Sequence, residues 1–291
     1  MSADLIQESI AYFKLNVVRV DPVAESYSSL VRLLTLAGGE CLILKIPFIQ
    51  RKLFRELAAL QRLKGNLPVP EVVDYWIRED ENPGAFLLSL LPGKVISGKV
   101  TPALAYGIGV LLGSLHAQEL DRYGDVLETS DEPSLDWWML HKRAFQQWHH
   151  LCMDVMPEDL FNKALDRYDC LYSNLPEPCS PSWVHRDYRP GNVLIQAKRI
   201  TGLIDFESAR GGSGDMDFVK IKEQVWDLWP ETKEPFLQGY VSIRPLPDFE
   251  NTMPFYELSN AFGGIAWCVK RSKIDDPFFA ENMKMLKQIL Q

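Results

Sequence analysis

The spacing of hydrophobic residues changes after Leu91-Pro92-Gly93, and this change constrains the fold more than any other feature of the sequence. Before it, short apolar runs are separated by turn residues such as Gly38-Gly39, a pattern typical of strands joined in hairpins. The runs are residues 15–20, 30–36, 41–46, 72–77 and 85–91. Residues 48–64 instead repeat leucine at helical spacing. The first third of the chain is therefore predicted to be a small antiparallel sheet with one helix packed against it.

Beyond residue 91 the hydrophobic residues recur mostly at helical spacing. Helices are predicted at residues 104–118, 135–153, 158–172, 255–271 and 278–290, and strands only at 183–185, 193–196 and 200–204. A strand-rich part followed by a mostly helical part predicts an α+β fold of two lobes, residues 1–91 and 92–291. Ligands are expected in the cleft between the lobes.

Charge and composition argue against several classes of protein. The 31 Lys and Arg residues are outnumbered by 39 Asp and Glu residues, whereas coating a nucleic-acid duplex requires a clustered basic face. The five cysteines are odd in number and include no CxxC pair, which argues against a complete disulfide framework. Early acidic residues and the lack of a long apolar run argue against a signal peptide and a membrane span. We therefore expect a cytoplasmic protein with neither nucleic-acid nor membrane partners.

The segments with the clearest chemistry are residues 183–195 and 202–207. They place a carboxylate, Asp187, on a loop, the carboxamide of Asn192 five residues later, and a second carboxylate, Asp205, at the end of a predicted hairpin strand. Phosphoryl transfer needs a base that orients the attacking hydroxyl and oxygen ligands that hold Mg²⁺ against the phosphates. Asp187 is predicted to be the base, and Asn192 and Asp205 are predicted to be the metal ligands.

These segments resemble the aminoglycoside phosphotransferase and choline kinase family, which shares its fold and catalytic loop with protein kinases. The H-x-D-x-x-x-x-N loop of the family is matched by His185, Asp187 and Asn192, and its metal strand by Ile204-Asp205-Phe206. The resemblance implies a bilobal protein-kinase-like fold and a small-molecule kinase that uses Mg²⁺ and ATP or GTP. Residues 111–116 resemble the helix ahead of the loop, and residues 87–93 the hinge between lobes. There the backbone of Ser89 and Leu91 would bind adenine.

The resemblance also assigns roles outside the metal ligands. Lys45 lies in an apolar strand, where an unpaired ammonium group is costly, and the family pairs this lysine with nucleotide phosphates and a helix glutamate, here Glu56. Arg189 stands where protein kinases carry a lysine that reaches the transferred phosphate, so it would be a catalytic residue that stabilises transition-state charge. His185 and Asp217 would support the loop structurally.

The sequence departs from the family at two places. The glycine-bearing loop between the first two strands is replaced by residues 24–30, so the hydroxyls of Ser26, Ser28 and Ser29 are expected to hold the nucleotide phosphates together with backbone amides. Glu207 stands where protein kinases have glycine, and it is expected to support the metal without necessarily binding it.

Competing functions remain open at the level of sequence. The missing glycines favour a catalytically silent nucleotide-binding scaffold, whereas the retention of Asp187, Asn192 and Asp205 opposes it. A protein kinase is disfavoured because only a dozen positions separate Asp205 from Asp217 and no Ala-Pro-Glu motif follows. The substrate is expected to be small, hydroxylated and compatible with a cationic group. An aminoglycoside, choline, an amino sugar and a homoserine-like metabolite are all allowed, and the oligomeric state is undetermined.

Overall fold

The computed structural model describes residues 2–23, 29–79, 83–127, 136–178 and 180–291. After helix α1 (Ser2–Tyr12), an antiparallel sheet is formed by five strands in the order β1-β2-β3-β5-β4. They are β1 (Val17–Pro22), β2 (Ser29–Leu36), β3 (Cys41–Pro47), β4 (Val72–Trp76) and β5 (Ala85–Ser89). Helix α2 (Gln50–Leu63) connects β3 to β4. The predicted sheet and its helix are confirmed.

The alternation of side chains along β3 decides which residues face the helix. Leu42 and Leu44 point to one face, where they pack with Ile6 of α1, because successive side chains of a strand alternate between faces. Ile43 and Lys45 point to the opposite face, where Ile43 packs against the larger apolar core. Lys45 is thereby directed toward α2 and the interior of the molecule.

The rest of the chain is mostly helical. Its helices are α3 (Pro102–His116), α4 (Trp137–Met153), α5 (Glu158–Ser173), α6 (Phe218–Ile221), α7 (Lys233–Val241), α8 (Phe249–Lys270) and α9 (Pro277–Ile289). Its strands are β6 (Lys94–Val95), β7 (Ser182–Val184), β8 (Val193–Gln196), β9 (Arg199–Leu203) and β10 (Arg210–Gly212). Strands β6, β8 and β9 form one small sheet, and β7 pairs with β10 in another. These two small sheets carry the loop from which the candidate catalytic residues project.

Several helices begin where the sequence supplies an N-cap. Thr101 accepts a hydrogen bond from the backbone N–H of Leu104, and Asp136 accepts one from the N–H of Met139 at 2.6 Å. Asp276 caps α9 in the same way, and proline at the first helical positions of α3 and α9 needs no N–H partner. Helices α1, α6 and α7 were not predicted, because their short segments lack a sustained apolar period.

The main apolar core joins the two predicted lobes. Leu53 and Leu57 of α2 and Phe86 of β5 belong to the same buried cluster as Ile108 and Leu112 of α3. The change of pattern at residue 91 therefore separates two kinds of secondary structure that share a core. No helix in the described part of the chain is both long enough and apolar enough to cross a membrane.

Candidate active site

Asp187 lies on the loop between β7 and β8, and its side chain keeps 33% of its surface exposed. Its Oδ2 accepts hydrogen bonds from Asn192 Nδ2 at 3.0 Å and from Arg189 Nε at 3.1 Å. Asn192 Nδ2 also donates to the backbone carbonyl of Asp187 at 2.8 Å. The sequence-predicted base, ligand and arginine are thus brought together, with the carboxylate oriented by two donors and still reachable from solvent.

Two buried side chains hold the backbone of this loop. Asp217 accepts from the backbone N–H of His185 at 2.7 Å and of Arg186 at 2.6 Å, and from His116 Nε2 at 3.1 Å. His185 Nε2 donates to the carbonyl of Ile204 at 3.0 Å, and its Nδ1 accepts from the N–H of Asp187 at 3.3 Å. This pattern fixes a neutral tautomer with the proton on Nε2. His185 therefore connects the loop to the strand that leads to Asp205.

The β8–β9 hairpin places Asn192 beside Asp205. Val193 pairs with Leu203, and the N–H of Ile204 donates to the carbonyl of Asn192 at 3.0 Å, so Asp205 follows directly. Asp205 and Arg186 both have positive φ, 69° and 66°. Left-handed backbone is costly for residues other than glycine and is concentrated at functional sites. Local strain thus accompanies both turns that present the candidate catalytic carboxylates.

Lys45 joins the five-stranded sheet to the loop side of the cleft through two carboxylates. Its Nζ lies 2.6 Å from Glu56 Oε2 and 2.6 Å from Asp205 Oδ1, and its side chain is only 7% exposed. Burial alone would lower the pKa of Lys45, but the charges of Asp205, Glu56 and Glu207 raise it above its ordinary value. Lys45 is therefore a permanent cation, and the predicted pair with Glu56 is present.

Glu207 contributes a third carboxylate to the same cluster. Carboxylate oxygens of Glu56, Asp205 and Glu207 all lie within 4.8 Å of one another. Lys52 Nζ contacts Glu207 Oε1 at 2.5 Å, and Ser29 Oγ donates to Glu207 Oε2 at 2.9 Å. Glu207, which stands where protein kinases have glycine, is thus buried next to cations and a hydroxyl group. It therefore belongs to the candidate site.

The serines predicted to grip phosphate are only partly described. Ser29 is 3% exposed, and its hydroxyl donates a hydrogen bond to the carboxylate of Glu207. Ser26 and Ser28 lie outside the described residues.

The predicted hinge continues directly into the small sheet. The N–H of Ser89 donates to the carbonyl of Glu71 at 2.9 Å, so of its backbone groups only the carbonyl could meet an adenine. Leu91 follows β5, and its side chain lies against Gly202 of β9. Gly93 has φ 104°, and a Cβ atom there would collide with the carbonyl of Ile195. Glycine is required at this position, and the chain from hinge to β6 is held against β8.

The oxygen donors fit a magnesium ion. Mg²⁺ prefers carboxylate and amide oxygens. Nδ2 of Asn192 donates to Asp187, so Oδ1 of Asn192 is left to bind a cation. Oδ1 of Asp205 accepts from Lys45, so Oδ2 of Asp205 is left for the same purpose. Burial would raise the pKa of Asp205, but Lys45 holds it below its ordinary value, so the carboxylate is ionised.

Some residues of the site could not be assigned from the sequence. His116 lies 101 positions from Asp217 in the chain, and its Nδ1 contacts the hydroxyl of Tyr240 at 2.9 Å. His116 belongs to no metal-ligand pattern in the sequence, so nothing there indicated its contact with Asp217. The place of Lys52 in the site could not be predicted either, because a lysine on an amphipathic helix is usually solvated. His116 and Lys52 lie on helices that neighbour the catalytic loop and the strand leading to Asp205. That position was the signal by which they could have been identified.

Comparison with known proteins agrees with this architecture. The structure of a thermostable mutant of aminoglycoside phosphotransferase APH(4)-Ia, in ternary complex with AMP-PNP and hygromycin B, matches with a TM-score of 0.76 at 17% identity. That match covers 98% of this chain and 97% of the other. The GDP and kanamycin complex of APH(2")-IIia matches with a TM-score of 0.70 at 17% identity, covering 98% and 97%. Both identities are low, so these likenesses show the fold, and the predicted protein-kinase-like α+β fold is confirmed.

A curated protein and a family model match at the level of sequence. Cyclin-dependent kinase F-1 of Arabidopsis thaliana is 27% identical over 232 residues, which are 78% of this chain and 37% of that protein. The chain therefore corresponds to little more than a third of that relative. The model described as "Phosphotransferase enzyme family" matches residues 19–255, more than half of the chain and all of the candidate site. The chain therefore belongs to the phosphotransferase enzyme family.

Proposed function

We propose that this protein transfers the terminal phosphoryl group of ATP or GTP to a hydroxyl group of a small molecule. The observation that carries this proposal is the carboxylate of Asp187, which is partly exposed and oriented by Asn192 at 3.0 Å and Arg189 at 3.1 Å. A carboxylate fixed in this way can accept the proton of an acceptor hydroxyl and align its oxygen for attack.

We propose roles for the other site residues, and the same geometry supports them. Lys45, held between Glu56 and Asp205, would bind donor phosphates, and Arg189 would stabilise charge on the transferred group. Asn192 and Asp205 would hold Mg²⁺, whose charge neutralises the phosphates of the donor. His185 and Asp217 would keep the loop in place through the contacts described above. The carbonyl of Ser89 and the backbone of Leu91 would contact the base of the nucleotide.

The nature of donor and acceptor rests on weaker support. The ligands of the two similar structures include AMP-PNP with hygromycin B and GDP with kanamycin, so both adenine and guanine nucleotides occur on this fold. Hygromycin B and kanamycin are small hydroxylated molecules. We propose a hydroxylated acceptor here as well, with choline-like, amino-sugar and homoserine-like compounds as further candidates.

A catalytically silent nucleotide-binding scaffold is the second candidate function. The lack of glycines in residues 24–30 and the hydrogen bond of Ser29 to Glu207 favour it, because both leave fewer groups that could contact donor phosphates. The complete set of Asp187, Asn192, Asp205 and Lys45 opposes it.

The deciding experiment is a phosphoryl-transfer screen over hydroxylated acceptors with ATP and with GTP, each with and without Mg²⁺. We expect magnesium-dependent product with at least one acceptor, lost in Asp187→Asn. Nucleotide binding without any product across the screen would favour the scaffold, and the absence of nucleotide binding would refute both.

A further inference from the structure

A cavity of about 660 Å³ lies between helix α8 and the turn that follows α6. Its apolar wall includes Trp226 and Phe249, whose ring centroids are 5.9 Å apart. Phe218 stacks on Phe249 at 4.9 Å, and it directly follows Asp217, which holds the catalytic loop. A cavity of this size with an apolar wall and a few polar groups is typical of sites that bind small molecules.

The turn after α6 is a π-helix, Lys222–Trp226, closed by the N–H of Asp227, which donates to the carbonyl of Lys222 at 2.9 Å. In an α-helix, side chains five positions apart point in different directions, since one turn takes 3.6 residues. The wider turn brings Lys222 Nζ to 3.1 Å from Asp227 Oδ2, and Glu257 of α8 lies 3.0 Å from the same Nζ. π-Helical turns are rare and frequently occur at functional sites. This one places charged groups on the rim of the cavity.

The ammonium group of Lys233 lies against the apolar wall. Its Nζ is 5.6 Å from the ring centroid of Trp226 and 5.7 Å from that of Phe249. Glu250 Oε1 lies 3.5 Å from the same Nζ. Two aromatic faces and a carboxylate attract a cation together, and such arrangements recognise the ammonium groups of ligands. The cavity thus has the lining of an ammonium site, and a side chain of the protein itself fills that place.

Lys233 is held there weakly. Its side chain is 45% exposed and that of Glu250 is 74% exposed, and exposed ion pairs contribute little to stability. Glu250 is the only carboxylate within ion-pair distance of Lys233 in the described part of the chain. A long lysine side chain also gains conformational freedom when it moves into water. A ligand can therefore displace this ammonium group at small cost.

Two polar groups of the lining residues lack partners. Pro254 lies inside α8 and has no N–H, so the carbonyl of Glu250, four positions earlier, lacks its usual helical donor. Nε1 of Trp226 is buried without an acceptor among the residues that the structure describes. Buried polar groups are normally paired, so the indole N–H in particular indicates a missing partner. A molecule with an ammonium group and a hydroxyl offers the donor and the acceptor that these groups lack.

The charge of the lining residues favours a cationic ligand. Asp227, Glu250 and Glu257 supply three carboxylates, against the two ammonium groups of Lys222 and Lys233. Once Lys233 has moved into solvent, only Lys222 remains to neutralise them. An anion would meet this excess of carboxylates, whereas a cation reduces it.

We propose that this cavity binds the ammonium group of a small hydroxylated molecule, which displaces Lys233 from the faces of Trp226 and Phe249 and pairs with Glu250. Lys233 is then an internal competitor that sets the affinity of the site. The ligand class is a primary or quaternary amine, because both kinds of ammonium group are attracted to aromatic faces.

The first test is calorimetric titration of the full chain with choline, without nucleotide and at matched ionic strength. Wild type should bind choline, and it should bind 3,3-dimethyl-1-butanol, an uncharged molecule of the same shape, at least about threefold more weakly, since only the cation is attracted to the ring faces. Phe249→Leu should weaken choline binding about twofold to thirtyfold. Glu250→Gln, at an exposed position, should weaken it about twofold to fivefold. Glu281→Gln, exposed on α9, is the matched control and should bind as wild type.

Lys233→Ala provides a second test, because it should change the affinity in the opposite direction. Removal of the internal competitor should tighten choline binding about threefold to thirtyfold. Lys270→Ala removes the same charge elsewhere on α8 and should leave the affinity unchanged. In thermal unfolding, choline should raise the melting temperature of Lys233→Ala more than that of wild type, and that of Phe249→Leu less. Wild type that does not bind choline, equal affinity for the uncharged analogue, or a Lys233→Ala variant that binds choline no more tightly than wild type would overturn the proposal.

Turnover distinguishes two sources of the ammonium group, and this comparison alone rests on the proposed phosphoryl transfer. If the group belongs to the acceptor, tetramethylammonium, which has no hydroxyl, should raise the KM of a hydroxylated amine without changing kcat, and Lys233→Ala should lower that KM. If it belongs to a separate ligand, tetramethylammonium should leave the KM of the acceptor unchanged. Choline binding is measured without nucleotide, so failure of the site and failure of phosphoryl transfer give different results.

Discussion

Replacement of Asp187 by asparagine separates chemistry from structure in this site. Oδ2 of Asp187 accepts from Asn192 and Arg189, and an asparagine can place its amide oxygen in the same position, so both donors stay satisfied. The amide NH₂ then occupies the remaining position, where the carboxylate would accept a proton. An amide cannot take up that proton, and the geometry of the loop is otherwise kept.

The size of the effect follows from the role. A positioned general base contributes about 10² to 10⁴-fold, so kcat should fall by this factor, a rise of about 3–5 kcal/mol in the activation free energy. The side chain is 33% exposed and keeps its two partners, so the free energy of unfolding should change by less than about 1 kcal/mol. Nucleotide affinity should remain, because Lys45, Asn192 and Asp205 are untouched.

The assay measures phosphoryl transfer and Mg-nucleotide binding by calorimetry on wild type, Asp187→Asn and Asp166→Asn. Asp166 is exposed on α5 and serves as the control for the chemical change alone. Turnover of Asp187→Asn within a factor of about three of wild type would refute the assignment of the base. Loss of turnover, nucleotide binding and the melting transition together would show instead that Asp187 supports the fold.

Four further changes test other parts of the site. Asp205→Ala should abolish turnover and weaken Mg-dependent nucleotide binding while the cooperative melting transition is retained, and near-normal turnover would contradict its role as metal ligand. Lys45→Ala should lower kcat/KM and destabilise the fold by about 3–5 kcal/mol, since it leaves buried carboxylates unneutralised. The double variant K45M/E56Q should recover part of that stability, because only Asp205 then lacks its cation, but it should recover no activity. Gly93→Ala should destabilise by about 2–4 kcal/mol, more than the about 1–2 kcal/mol of the control Gly39→Ala, which has φ 86° but open space; equal losses would remove the steric argument. Burial would raise the pKa of Asp125, but Arg55 and Arg51 lower it to about 2, so its stabilisation, about 2 kcal/mol, is present above pH ~4 and lost as the pH falls toward 2. In Asp125→Asn the free energy of unfolding should depend less on pH between about 4 and 2. An unchanged pH dependence would argue against the ion pairs of Asp125 with Arg55 and Arg51.

Local patterns were sufficient to predict the elements that carry the site. The strand predicted at residues 193–196 matches β8, and the helix predicted at 104–118 overlaps α3 within two residues at each end. These segments have strong periods and clear boundaries, Gly191 and Thr101 among them. The helices α1 and α7 were missed because their apolar residues are few and their packing partners lie elsewhere in the chain.

Contacts distant in sequence could not be predicted in the same way. Ser29 meets Glu207 across 178 positions, and His116 meets Asp217 across 101. Pairings of this kind depend on the topology of the sheet and helices, which one sequence without relatives does not reveal. The resemblance to a known family supplied the pair of Lys45 and Glu56, which are 11 positions apart.

The pairing of β6 with β8 limits how the two halves of the molecule can turn against each other. Lys94 pairs with Ile195 within the small sheet, and the N–H of Leu203 donates to the carbonyl of Pro68 at 2.9 Å. The small sheet is therefore connected to the N-terminal part both by the chain that enters β6 and by this hydrogen bond. Between β5 and β6 only residues 90–93 remain to act as a pivot, and Pro92 has a fixed φ. Few torsion angles are therefore available for opening the cleft. We expect opening motions of small amplitude in which Asn192 stays at a nearly constant distance from the hinge while Lys45 moves.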